Sequence, residues 1–154
     1  MTGAIVVREL RPDDVDEVVA RWHDTNVRTY TYVAEHQRHT LDDARRFFDD
    51  AIRPTCVVLV AERHGRRAAV LAQDGCWIRQ LAVFDGHRRC GVGRALVAAA
   101  RARSPRELRL FTFQRNAAAR AFYEADGFVA VRFGTSPPPE NEPDVEYVWS
   151  QAPA

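Results

Sequence analysis

Hydrophobic positions along this chain recur at two periods, and the switches between them mark its elements. Ala4 to Arg8 reads as a first strand. Pro12, followed by Asp13 and Asp14, starts a helix running through about Val27: proline suits the first helical turn, and acids favour the positive end of the dipole. Thr40-Leu41-Asp42-Asp43 has the reciprocal pattern of a capping box and opens a second helix that includes Phe47 and Phe48 and stops before Pro54. Thr55 to Glu62 is a Val-rich strand, His64-Gly65 a turn, Ala68 to Gln73 the returning strand and Cys76 to Val83 the next. Gly93 to Arg103 is an Ala-rich helix, Leu108 to Phe113 a strand, and a helix opens at Asn116. Phe128 to Phe133 and Val145 to Trp149 complete the pattern. Hairpin signals in the first half and helical crossovers in the second give an α/β (α+β) class: a mixed, mostly antiparallel twisted sheet of six to seven strands, with helices on both faces. No internal repeat interrupts it, and residues 1–154 are expected to form one domain. The only low-complexity stretch, Pro137-Pro138-Pro139, stiffens a loop and cannot continue the sheet.

Composition narrows the chemistry. The 154 residues can bury a core without disulfides or metals, and a formal charge of +1 gives no field that would recruit nucleic acid or an anionic membrane. Cys56, Cys76 and Cys90 lack metal-ligand or redox-pair spacing, so no metal is expected. Cys56 and Cys76 begin strand-like runs and read as small buried hydrophobes; Cys90 reads first as a space-filling loop residue, with a thiolate favoured by the neighbouring arginines as the alternative. The chain opens directly into a strand pattern and has no apolar run near membrane-spanning length, which suits a reducing cytoplasm.

The stretch Arg88-Arg89-Cys90-Gly91-Val92-Gly93-Arg94 joins an apolar strand to the Ala-rich helix. A strand that turns on glycines into a helix leaves several backbone N–H groups unpaired at the positive end of the dipole, and arginines add full charges there. Such a corner binds phosphate. Arg94-Ala95 follows Gly93 where a nucleotide hydrolase needs Lys-Ser/Thr, and Leu96 stands where a dinucleotide fingerprint needs its third glycine. A second segment, Asn116 to Phe128, begins with a favoured N-cap, continues through alanines and closes at Gly127. Ala119 and Tyr123, four apart, share a face, while Phe122 points about 100° away. Phe122 is expected in the core, and Tyr123 exposed along a face where small Ala119 leaves room for a ligand.

Arg88-x-x-Gly91-x-Gly93, preceded by Leu81-x-Val83, and the later Phe122-Tyr123-Glu124-x-x-Gly127-Phe128 together resemble the GNAT superfamily of N-acetyltransferases, a likeness that extends more weakly over nearly the whole chain. The resemblance implies acetyl-CoA as co-substrate and direct attack of an amine on its thioester. It implies that Arg88, Arg89 and Arg94, with the amides of Gly91, Val92 and Gly93, hold the pyrophosphate. The backbone of Leu81, Ala82 and Val83 would orient the pantetheine and thioester, Asn116 and Ala119 would lie beside the pantetheine, and Tyr123 would act as general acid toward the leaving thiolate. It further implies that the strands carrying Leu81 and Leu108 splay apart to admit the cofactor arm. Two departures stand out: Ala68-Ala69 replaces a glycine common in relatives, and Cys90 replaces one after the arginines.

The acceptor region in relatives corresponds to Tyr30 through His36, whose aromatics suggest an apolar wall. Candidate bases are Glu35, His36 and His39 in the linker between the first two helices, and Glu142, Asp144 and Glu146 near the last strand; solvent deprotonation stays open. Asp144 and Glu146 share a strand face that would favour a cationic amine, and Tyr30 and Tyr32 complete the acceptor set. Glu140 is expected in solvent, and Glu142, though named among the bases, is read the same way. The leading expectation is an acetyltransferase for a small-molecule amine, with a homodimer compatible. The alternatives are a transferase for protein N-termini or lysines, and a non-catalytic acyl-CoA sensor.

Overall fold

Strands whose both faces are covered need apolar residues at every position, and the centre of this chain supplies them. The computed structural model, which describes residues 4–151, contains a seven-stranded sheet in the order β1-β2-β3-β4-β5-β7-β6. The strands are β1 (Ile5–Glu9), β2 (Val57–Arg63), β3 (Arg66–Asp74), β4 (Trp77–Val83), β5 (Glu107–Phe113), β6 (Val129–Thr135) and β7 (Pro143–Ser150). All neighbours run antiparallel except β4 and β5. Leu59, Ala61, Ala69 and Leu71 face α4 (Val92–Arg103) in one core cluster, where Leu96, Val97 and Ala100 are fully buried. Their alternates Val58, Val60, Val70 and Ala72 face α1 (Val15–Thr29) and α3 (Leu41–Phe47) in the other, with Val18, Val19 and Trp22. The mixed, mostly antiparallel sheet between helical layers is the architecture the period changes imply.

Local signals hold at the caps. Thr40 Oγ1 accepts from the Asp43 amide at 3.1 Å while Asp43 Oδ2 accepts from the Thr40 amide at 2.9 Å. Asn116 Oδ1 accepts from the Ala119 amide at 3.1 Å, opening α5 (Ala117–Ala125), and Gly127 follows it at φ +93°. Two differences appear. A short helix α2 (Ala34–Arg38) occupies the expected linker, fastened by Gln37, whose amide donates to the carbonyls of Val27 and Tyr30 at 2.9 and 3.0 Å. The end of the second helix widens into a π turn, Phe48–Ile52, which buries both Phe48 and Ile52. Asp14, read only as a helix-start acid, is fully buried and takes two hydrogen bonds from Arg8 and one from Arg67. Those bonds hold its carboxyl well below the ordinary carboxylate range. Cys56 and Cys76 are half-buried, because both sit at strand ends where the sheet meets solvent.

Candidate functional site

β4 is the hinge of the site. Its first edge is paired along its length with β3, whereas toward β5 the only register pair among the described residues is Trp77 with Arg109, beside a 2.7 Å bond from the Arg109 amide to the Cys76 carbonyl. Beyond that point the two parallel strands part, and the segment Leu81–Val83 presents a backbone edge with no ladder partner on the β5 side. The splay implied by the family resemblance is therefore present.

The chain leaves β4 through a turn at Phe84–His87 and enters α4 on two left-handed residues, Arg89 at φ +60° and Gly91 at φ +87°. Arginine at positive φ is strained, whereas glycine adopts it freely. No side chain caps α4, in contrast to Thr40 on α3 and Asn116 on α5. The first amide of this helix to find a partner is Ala95, which donates to the Gly91 carbonyl at 3.0 Å. The amides of Gly91, Val92, Gly93 and Arg94 are thus the ones left for an external acceptor. Arg88, Arg89 and Arg94 are exposed around them and, unlike Arg8, Arg67 or Arg115, have no carboxylate partner among the described residues. Cys90 ties this corner to the sheet: Arg63 of β2 donates to its Sγ at 2.7 Å, and the thiol reaches the Arg88 carbonyl at 3.3 Å. Buried Gly93 lies under Val83 and Phe122, whose atoms stand 3.4 and 3.5 Å from where a Cβ would be.

On α5 Phe122 packs against the core as expected, but Tyr123 is not exposed. Tyr123 is buried, with 7% of its surface exposed, in the core cluster of Phe128 and Tyr147, while Phe122 is half-buried against Gly93. Tyr123 and Ala119 do share a face, but that face turns inward because α5 ends at the sheet, where Phe128 and Tyr147 receive the ring at 5.4 and 6.1 Å. Burial raises the Tyr123 phenol above its usual value, and the nearby Tyr30 adds to the rise. It stays protonated at neutral pH.

Across the sheet, the parted ends of β4 and β5 open on a cavity of about 470 Å³. Tyr30 at the end of α1, His36 of α2, Phe113 of β5, Arg132 of β6 and Asp144 of β7 line it, with Ser136 and Glu140 from the β6–β7 loop. Tyr30 stands edge-on to Phe113 at 5.1 Å and 5.0 Å from the His36 ring. Its phenol is pushed up by burial, and a hydrogen bond from the Asn116 side chain opposes that rise. Tyr30 therefore touches the cavity on one side and the α5 cap on the other. His36 Nε2 lies 2.7 Å from Glu140 Oε2. Burial also raises the Asp144 carboxyl, while Arg132 works against it.

Of the six acceptor residues expected from sequence, Tyr30, His36 and Asp144 meet in this cavity. Tyr32 packs under the Arg115 guanidinium at 4.7 Å, and Glu35 turns to Arg38 and His39 at 3.1 and 3.0 Å. Glu146 is buried against Arg109 at 2.9 Å. Glu142, expected in solvent, is 5% exposed and grips Arg115 through two bonds of 2.8 and 2.9 Å; it closes the loop, since its amide also donates to Ser136 Oγ. Glu140, likewise read as solvent, faces the cavity. Sequence reading missed Phe113, Arg132 and Glu140, and only Phe113 had a signal, as an aromatic at the open end of a strand. Among the described residues no cluster of His, Cys, Asp or Glu has the makings of a metal site, and no helix is long and apolar enough to cross a membrane.

The model of the acetyltransferase (GNAT) family matches residues 19–128. The fold is similar to the solution structure of apo-form YjaB from Escherichia coli, at 24% identity and a TM-score of 0.80, covering 97% of this chain and 99% of that one. It is similar to a GCN5-related N-acetyltransferase from Rhodopseudomonas palustris at 20% identity and a TM-score of 0.75, covering 98% and 99% of the two chains. It is also similar to ribosomal-protein-alanine N-acetyltransferase from Brucella melitensis at 20% identity and a TM-score of 0.72, covering 95% and 99%. No curated protein matches the sequence.

Proposed function

This chain belongs to the GNAT acetyltransferase family, and we propose that its 154 residues work as one unit that moves an acetyl group from acetyl-CoA to the amine of a small molecule. The observation that carries this reading is the parting of β4 from β5, with uncapped amides at one side of the opening and a cavity of about 470 Å³ at the other. That volume lies in the range of roughly 300–1,000 Å³ typical of small-ligand sites.

The residues fit the cofactor. Free amides at Gly91–Arg94 and the unpaired Arg88 and Arg89 suit a pyrophosphate, and charge-assisted bonds of this kind contribute about 1.5–3 kcal/mol each. The open edge at Leu81–Val83 suits a pantetheine arm bound like an added strand, with Ala119 and Asn116 beside it. A thioester held there lies between the two halves of the site, and alignment of two reactants in this way accounts for about 7–11 kcal/mol of barrier in well-oriented systems. Tyr123 gives its proton to the departing sulfur. Its burial is compatible with that role, because a phenol raised by desolvation remains a donor at neutral pH until the sulfur leaves as an anion. Asp144 draws the amine in as its cation.

The test is thiol release from acetyl-CoA across a library of small amines, with peptide N-termini and free lysine as further arms, alongside calorimetry of acetyl-CoA binding. Turnover of small amines supports the reading. Turnover of peptides alone makes the acceptor a protein, binding without turnover makes the chain an acyl-CoA sensor, and no heat on adding acetyl-CoA removes the cofactor assignment.

A further inference from the structure

An ammonium must lose a proton before its nitrogen can attack, and the cavity holds one side chain prepared to take it. His36 Nε2 and Glu140 Oε2 are 2.7 Å apart, joining α2 to a loop 104 residues away in sequence. A carboxylate here accepts from Nε2–H, and the tautomer that makes this bond leaves Nδ1 as the lone pair. The ring is fixed from other sides as well, 5.0 Å from Tyr30 and 6.1 Å from Phe113. A carboxylate that locks one tautomer of a histidine is the arrangement on which general-base histidines depend.

The competing acids and imidazoles are otherwise engaged. Glu142 and Glu146 are bound to arginines, and Glu35 and His39 pair with each other outside the cavity. Asp144 faces the cavity with no orienting partner comparable to Glu140. We propose that His36 is the general base of the acetyl transfer and that Glu140 is its positioning residue; this rests on the reading of the site given above. One proton passes from the acceptor ammonium to His36 Nδ1. The freed lone pair forms the C–N bond at the thioester carbonyl carbon, the C–S bond breaks, and the sulfur takes the phenolic proton of Tyr123. The second proton of the acylated nitrogen restores the phenol, and His36 releases its own proton to solvent. The products are an amide, coenzyme A thiol and one proton. The charged and titratable groups around His36 are Tyr30, His39 and Glu140, with Arg79, Arg132 and Asp144 across the cavity.

The experiment takes an acceptor found in the amine screen and measures kcat/KM against pH for the full chain and for His36→Asn, Glu140→Gln and Asp144→Asn. His36→Asn should lower kcat/KM by about 10²–10⁴-fold and remove the acidic limb of its pH profile, with the heat of acetyl-CoA binding unchanged. The loss should shrink for acceptors whose amine is already neutral at the assay pH, a selectivity that mere packing damage would not produce. Glu140→Gln should keep the fold, lose about tenfold and move the limb without erasing it. An intact limb in His36→Asn, a loss uniform across weak and strong amine bases, or transfer of the whole effect to Asp144→Asn overturns the assignment while leaving acetyl transfer standing. A wild-type chain that binds acetyl-CoA and turns over no amine overturns the reading of the site and this assignment with it.

Discussion

The two halves of the site are built from different materials. The corner at Arg88–Arg94 is mostly backbone: a strand, a left-handed glycine and an uncapped helix end, all within one short stretch of chain. The cavity is made of residues that arrive from seven segments spread between Asn26 and Asp144. A backbone site is written in consecutive residues and tolerates changes that keep the turn. A side-chain site depends on the whole fold to bring its members together, and any one of them can be exchanged to suit a new acceptor. Within one family the first half is expected to stay constant and the second to vary.

Tyr123 is the proposed general acid, so its removal is the severest way to break the comparison. Tyr123→Phe should reduce kcat by about 10²–10⁴-fold while leaving both acetyl-CoA affinity and thermal stability near wild type. The phenol makes no hydrogen bond that the fold would miss among the described residues, its shift arising from burial and the nearby Tyr30 alone. Steady-state kinetics with calorimetry and a thermal melt check this, and a loss confined to acetyl-CoA binding would instead make Tyr123 a wall of the cofactor slot. Next in size are the arginines. Arg88→Ala and Arg89→Ala should each weaken acetyl-CoA about 10–100-fold, more so at low salt, with the acceptor KM unmoved. Isothermal titration at two ionic strengths measures it.

The glycines test whether the corner is truly backbone. Gly91 sits at φ +87°, so Gly91→Ala should cost about 1–2 kcal/mol of stability. At Gly93 an added Cβ meets Val83 and Phe122 only at ordinary contact, 3.4 and 3.5 Å. Gly93→Ala should therefore fold as wild type and lose acetyl-CoA affinity alone. Denaturant melts paired with titrations separate the two; equal stability losses would mean that the glycines serve only the turn.

This division also explains how much could be read from the sequence. The elements were legible because hydrophobic period, caps and glycine stops are local signals, and the glycine corner at Arg88–Arg94 is one of them. The inward turn of Tyr123 was not legible, because α5 is too short for its four-residue spacing to say which face meets the sheet. Neither was Glu140, which follows three prolines and belongs to no periodic element. Its meaning comes from a histidine 104 residues away. Glu142, two positions on, looks alike in sequence and does the opposite job, bound to Arg115 and nearly excluded from solvent.

Asp144 yields the smallest effect and the sharpest distinction between a residue kept for function and one kept for the fold. Burial raises its carboxyl above the ordinary aspartate value of about 3.9, so the folded chain holds the proton better than the unfolded chain does. Whatever stability that preference contributes is present below the unfolded value and is lost as the pH climbs through the raised one, leaving the ionised group a net cost at neutral pH. Asp144→Asn removes the cost, and thermal melts at neutral pH should show a chain as stable as wild type or slightly more so. The same change removes a carboxylate facing the acceptor cavity, so KM for a cationic acceptor should rise roughly tenfold, about the worth of one charge-assisted hydrogen bond. In the wild type, that KM should rise as the pH falls toward the carboxyl's raised value, a dependence the variant should lack. Should the variant instead unfold more easily with KM unchanged, Asp144 would join Glu142 and Glu146 among the acids that brace the sheet, and the cation-binding face of the cavity would have to be sought at Glu140.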